Sequence, residues 1–189
     1  MPLAPPPLVE LPGLTLRVWS PPDAPLFGAA LAASDAHLRA WTPWVVDGRT
    51  PGLTLEERVA AHAADFAAGR EWVYGMFDPE GTEVLGGCGL YPRVGPHAVE
   101  IGYWLAVGHT GRGLATRAAE ALTKIAFDSA EIERVEIRCE TGNEASARIP
   151  QRLGYRMMDP RTATPDTISA TLDKLVVWHI TRPTPPHTD

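Results

Sequence analysis

Residues 98–139 hold the pattern that most restricts the fold. An apolar, strand-like run from Ala98 to Val107 leads into a glycine-bearing loop, Gly108 to Gly113, which opens a helix from Leu114 to Asp128. Leu114, Ala118, Leu122 and Ile125 recur on one face of that helix. A strand follows at 133–139, with Val135, Ile137 and Cys139 inward and Arg134, Glu136 and Arg138 outward. Upstream, 14–18 alternates as a strand and 23–40 has helical spacing. Thr54 and Glu57 form a capping box for a helix that Gly69 ends. Runs 71–77 and 83–91 flank the Asp78–Gly81 turn as a hairpin, and Gly86, Gly87 and Gly89 mark a bulge or a close backbone approach. Asn143 caps a short helix ending before Gly154, and 155–158 and 173–181 supply final strands. Strands followed by strand–loop–helix–strand–helix–strand make a mixed α/β sheet in one domain.

The 189 residues suit a single domain. Of 19 prolines, 11 lie at the two ends, so 1–12 read as an irregular Pro-rich tail, 13–182 as the body and 183–189 as a second tail. No 18-residue apolar window spans a membrane, and the first residues lack the basic and apolar regions of a secretory signal. Cys88 and Cys139 fall in strand-like runs and read as reduced, buried thiols of a cytoplasmic protein; no Cys/His spacing suggests a metal.

The net charge of −6 argues against non-specific nucleic-acid binding. Residues 1–100 carry 6 basic and 12 acidic side chains, and 101–189 carry 11 of each. Within the second half, 108–118 (Arg112, Arg117) and 145–158 (Arg148, Arg152, Arg156) hold no acid. Both ordinary surface charge and a local anionic ligand fit that distribution. A glycine-rich turn feeding a helix N-terminus offers free N–H groups and the positive end of the helix dipole to an anion. The loop has neither the Lys-Ser/Thr pair of a Walker motif nor the third glycine of a Rossmann fingerprint, since residue 116 is Thr.

Thr110-Gly-Arg-Gly-Leu-Ala115 resembles the Q/R-x-x-G-x-G/A pyrophosphate loop of the GNAT acyltransferases. Strand Glu100–Leu105, Ala126-Phe127, Asn143-Glu-Ala-Ser146, Leu153-Gly-Tyr155 and the upstream His37-Leu38…Trp41-x-Pro-Trp44 are similar to segments of the branch that includes the RimJ/RimL ribosomal-protein acetyltransferases. The resemblance spans about residues 13–181. It implies a mixed, mostly antiparallel sheet flanked by helices and splayed where acyl-CoA binds, with acetyl-CoA as donor and no metal. The pantetheine arm would lie along Leu105, Ala106 and Val107, and the pyrophosphate over Thr110, Gly111, Arg112, Gly113, Leu114, Ala115 and Thr116. Asn143 would bond the arm, and Ser146 would lie near the sulfur. The default oligomer is a monomer or homodimer.

Two departures matter. Thr110 stands where the family keeps Gln or Arg, and Pro150 occupies the helix slot where many relatives carry a Tyr acid. Ser146 therefore becomes the candidate donor to the departing thiolate. Pro150 also removes the N–H that would bond the Ser146 carbonyl, which predicts a bent or widened turn with that carbonyl free. Glu100, on the same strand face as Gly102 and Trp104, is the leading candidate base, and Asp35 is the second. Trp41, Trp44, Trp72 and Trp104 are candidate walls of an acceptor pocket, with Tyr103 facing the other way. The acidic first half favours a cationic amine, borne by a small molecule or a protein N-terminus. The competing readings are an acyl-CoA sensor without turnover and a transferase of a larger acyl group such as succinyl.

Overall fold

The computed structural model describes residues 2–47, 52–158 and 175–182, apart from the side chains of Pro43 and Trp44. The described strands are β1 (Leu8–Leu11), β2 (Leu14–Val18), β3 (Trp72–Phe77), β4 (Val84–Tyr91), β5 (Ala98–Leu105), β6 (Arg134–Glu140), β7 (Arg156–Met157) and β8 (Leu175–Thr181). They form one sheet in the order β1-β2-β3-β4-β5-β6-β8-β7. Every pairing is antiparallel except β5 with β6. That parallel pair needs a crossover, which the helix between the two strands supplies.

The helices are α1 (Ala24–Arg39), α2 (Pro43–Asp47), α3 (Leu55–Ala67), α4 (Leu114–Asp128) and α5 (Glu144–Arg152). Successive strand residues point to opposite faces, and two apolar clusters follow from that alternation. Leu90, Val99, Ile101, Val135 and Ile137 pack with Leu114, Ala118 and Leu122 of α4. On the other face Val73, Phe77 and Tyr91 pack with Phe27 and Leu31 of α1 and Val59 of α3. The capping box at α3 forms as its sequence predicts: Thr54 Oγ1 accepts from Glu57 N–H (3.2 Å) and Glu57 Oε2 from Thr54 N–H (2.8 Å).

Two expectations are corrected. Residues 1–12 are not wholly irregular, because Leu8–Leu11 form the edge strand β1. Proline lacks an N–H but keeps an accepting carbonyl, and an edge tolerates the missing donor. The Pro7 carbonyl takes the Val18 N–H (3.0 Å), and the Pro6 carbonyl takes the Tyr74 hydroxyl (2.7 Å). Glu136 and Arg138 do not face solvent: Glu136 is 0% exposed and the Arg138 side chain 3%. Alternation marks which face a side chain takes, and here neighbouring strands carry partners that allow charge on a covered face. The predicted tail 183–189 lies outside the described residues.

The entry to α1 is tied to β2 by charge. Arg17 grips Asp23 through both guanidinium ends (2.6 and 2.7 Å), and Ser20 adds its N–H and hydroxyl (2.8 and 2.9 Å). Burial pushes the Asp23 carboxyl up, but the bonds from Arg17 and Ser20 outweigh it and hold the group below its ordinary range. A depressed carboxyl stabilises the fold above its unfolded pKa, near ~4, and loses that contribution as pH falls through the folded value. We therefore expect Asp23→Asn to cost about 2 kcal/mol at neutral pH. In thermal melts the gap from the parent should shrink below about pH 4. An equal gap at every pH would contradict this account.

Candidate active site

The pairing of β5 with β6 runs from Ala98↔Arg134 to Ile101↔Ile137 and stops, although both strands continue. Exposure changes at that point: Ala98 to Ile101 are buried, while Gly102 to Leu105 are half-buried. The parted strands leave backbone N–H and C=O groups of β5 without a strand partner on that side. A cavity of about 450 Å³ opens there. It runs from the loop before α4, past Leu105 and Tyr103 and the first turn of α5, to Glu100 and the end of α1.

At the loop end, Gly111 and Gly113 both have φ of +74°, a region costly for residues with a Cβ. Nothing lies within 4 Å of the place a Cβ would take on either, so the loop faces open space. Among the described residues, no acceptor takes the N–H of Gly111, Arg112, Leu114, Ala115 or Thr116. Five donors at the head of a 15-residue helix fit a pyrophosphate. Thr110, Gly111, Gly113, Leu114, Ala115 and Thr116 all line the cavity. Arg112 is exposed beside it. Ala106 and Val107, expected along the arm, stand off the cavity: their N–H groups donate to Leu85 O (2.9 Å) and to Ser34 Oγ of α1 (3.0 Å). The strand has already turned away there, into a 3-10 turn at Val107–His109.

At the middle of the cavity, Asn143 Oδ1 accepts from Ser146 N–H (3.1 Å), as an N-cap does. Its side-chain NH2 is left to donate elsewhere. The helix α5 continues through Pro150 to Arg152. The expectation of a free Ser146 carbonyl is corrected, because the Tyr103 hydroxyl donates to it (3.2 Å) and also lies 3.1 Å from Ser146 Oγ. Tyr103 points to the α4–α5 side of the sheet, yet it lines the cavity because the parted strands open on that side too. Burial pushes the Tyr103 phenol up, offset in part by Ser146. Burial likewise raises the Cys139 thiol.

Glu100 lies at the far end, 5% exposed. Arg93 holds it bidentately (2.8 and 3.1 Å), and Arg138 approaches to 3.7 Å. Arg138 also bonds Glu136 (2.9 Å), which Arg134 meets from its other side (2.9 Å). Of the expected acceptor residues, Trp41 and Trp104 line the cavity. The Trp44 side chain lies outside the described residues. Trp72 shares the β3 face of Tyr74 and Met76 and packs in the α4-side core, away from the α1 side. Asp35 does not line the cavity; Arg39, one helical turn on, holds it at 3.0 Å. Sequence reasoning missed Arg138, Glu140 and Tyr91 as cavity residues. Only the register reveals Tyr91, which sits directly across from Glu100.

Close approach shapes the β4 wall. A Cβ on Gly86 would lie 2.2 Å from the Trp104 carbonyl oxygen, so β5 would have to move. Gly86→Ala should cost at least about 2 kcal/mol. Gly108→Ala, where a Cβ meets nothing within 4 Å, serves as control and should cost well under that. Similar melting temperatures for the two variants would refute the close-packing role.

Residues 13–156 match the acetyltransferase (GNAT) domain family. The ribosomal-protein-serine acetyltransferase of Escherichia coli (strain K12) is 28% identical over 117 residues, 61% of this chain and 62% of that protein. Matches to curated relatives are partial, spanning 31% to 63% of their lengths. Among solved structures, RimL, the ribosomal L7/L12 alpha-N-protein acetyltransferase in complex with coenzyme A, superposes with a TM-score of 0.75 at 19% identity, covering 92% of this chain and 97% of that one. The microcin C7 self-immunity acetyltransferase MccE, in complex with acetyl-CoA and AMP, gives 0.76 at 16% identity, covering 95% and 99%. The parted parallel strands, the glycine loop with its unused donors and the family match over most of the chain agree, and the protein belongs to the GNAT acetyltransferase family.

Proposed function

We propose that this protein transfers the acetyl group of acetyl-CoA to a primary amine within a ternary complex. One observation carries the reading: the unpaired edge of β5 from Gly102 to Leu105 and the free N–H groups at the head of α4 line the same cavity, on either side of the turn at Val107–His109. An extended amide-bearing arm ending in a pyrophosphate fits that sequence of partners. In the proposed pose the pyrophosphate sits over residues 110–116, the arm pairs with β5, and the Asn143 NH2 bonds it from the other wall. The thioester then lies near Ser146.

The amine nitrogen attacks the thioester carbon. The C–N bond forms, the C–S bond breaks, the amine gives up a proton and the departing thiolate gains one. Positioning supplies much of the acceleration. Ser146 donates a hydrogen bond to the thiolate as charge develops there. Glu100 takes up the amine's proton through a water, using lone pairs that Arg93 leaves open. The amine enters between Trp41 and Trp104, on the α1 side. Arg93 and Arg138 are already answered by Glu100 and Glu136, which favours acetyl over an acyl group with its own carboxylate. The relatives are named for ribosomal-protein acceptors, so an α-amino group of a protein N-terminus is the first acceptor class to test, beside small cationic amines.

The test is calorimetric binding of acetyl-CoA, then release of free thiol across a panel of peptides and small amines. Acetyl-CoA should bind, and at least one amine should be acetylated. Binding without turnover on any acceptor would replace the enzyme with a sensor. On a productive acceptor, Ser146→Ala should lower kcat about 10- to 100-fold with acetyl-CoA affinity changed less than about threefold. Glu100→Gln breaks a buried ion row, so it is compared at a temperature where thermal melting shows it folded, and there it should lower kcat by a similar factor.

A further inference from the structure

Tyr103 takes no part in the mechanism so far, yet its hydroxyl lies within bonding distance of the residue proposed to meet the thiolate. A phenol has one proton to donate. Here it has two acceptors on Ser146, the carbonyl oxygen at 3.2 Å and Oγ at 3.1 Å. Ordinarily that carbonyl would take the N–H of the residue four positions on. That residue is Pro150, which has none, and α5 nevertheless continues past it. The carbonyl thus lacks its usual helix donor and is met by the Tyr103 hydroxyl instead, on the wall of the cavity.

We propose that Tyr103 is a positioning residue for acyl transfer, whose single proton moves between the Ser146 carbonyl and the Ser146 hydroxyl and so decides where the Ser146 proton points. This rests on the reading of Ser146 as the thiolate's hydrogen-bond donor. With Tyr103 donating to the carbonyl, the Ser146 O–H turns back toward the phenol oxygen. With Tyr103 donating to Oγ, the Ser146 O–H is released into the cavity. Negative charge growing on the sulfur selects the second arrangement. No proton changes owner: two hydrogen bonds reorient, and solvent later protonates the thiolate. Burial raises the phenol's pKa, so Tyr103 keeps its proton throughout. Pro150 is the reason a strand tyrosine can hold this post, since any other residue there would offer the carbonyl its own N–H.

Four proteins test this: Tyr103→Phe, Ser146→Ala, the double variant, and Tyr103→Phe with Pro150→Ala, each checked for folding by thermal melting. Tyr103→Phe should lower kcat at least about tenfold while KM for acetyl-CoA stays within about twofold. In the Ser146→Ala background the same change should lose less than about twofold further, because the two act as one unit. Pro150→Ala gives the carbonyl an N–H. It should not restore Tyr103→Phe if Tyr103 acts on the hydroxyl. Restoration would show that Tyr103 only satisfies the carbonyl, and would overturn the proposal. So would near-parental kcat in Tyr103→Phe with Ser146→Ala impaired. Full activity of Ser146→Ala would instead overturn the underlying reading of Ser146, and this inference with it.

Discussion

Glu100 and Glu136 stand side by side on β5 and β6, directly across from each other in the last paired stretch before the strands part. Two carboxylates in that position repel. Arg138 bonds Glu136 and approaches Glu100, while Arg93 and Arg134 close the row at its two ends. Charges this well covered are tolerable only when paired, and removing one partner from such a row costs about 3–5 kcal/mol. The row therefore fastens β5 to β6 at one level of the sheet. One level further along, the strands are free to separate, and the cavity begins there.

The groove is held open from both sides by short polar contacts rather than by bulk. On the α4–α5 side, the Tyr103 hydroxyl spans from β5 to the first turn of α5. On the α1 side, Ser34 accepts the Val107 N–H and sets the point at which the chain leaves β5 for the loop. The helix near the amine entrance and the loop that offers donors to phosphate are thus joined by one hydrogen bond. Close packing completes the wall, since Gly86 and Gly87 leave room for Trp104 against β4.

The site divides into parts that were legible in the chain and parts that were not. The loop before α4, the cap at Asn143 and the strand around Glu100 could be read directly, because each depends on residues within a few positions of one another. Trp72 and Asp35 could not be placed that way. Trp72 goes to the α4-side core through its strand parity, and Asp35 is engaged by Arg39 on its own helix. Arg138 read as a solvent-facing member of an alternating strand and is instead the centre of the buried row. The consequence of Pro150 was half legible: the missing N–H follows from residue type, but the donor that replaces it comes from 47 positions earlier in the chain, at Tyr103.

Local chemistry determined the strands and helices from β2 onward that carry clear periodicity, caps or turns, and the glycine-bearing loop at the head of α4, but not the edge strand β1 or the short α2. Periodicity, caps and turns act over a few residues, so they survive without any tertiary context. Register was decided only in the folded molecule: which carboxylate meets which guanidinium, where β5 and β6 stop pairing, and which hydroxyl answers the Ser146 carbonyl. Those outcomes depend on non-local pairing, in which a shift of one residue turns every side chain to the opposite face.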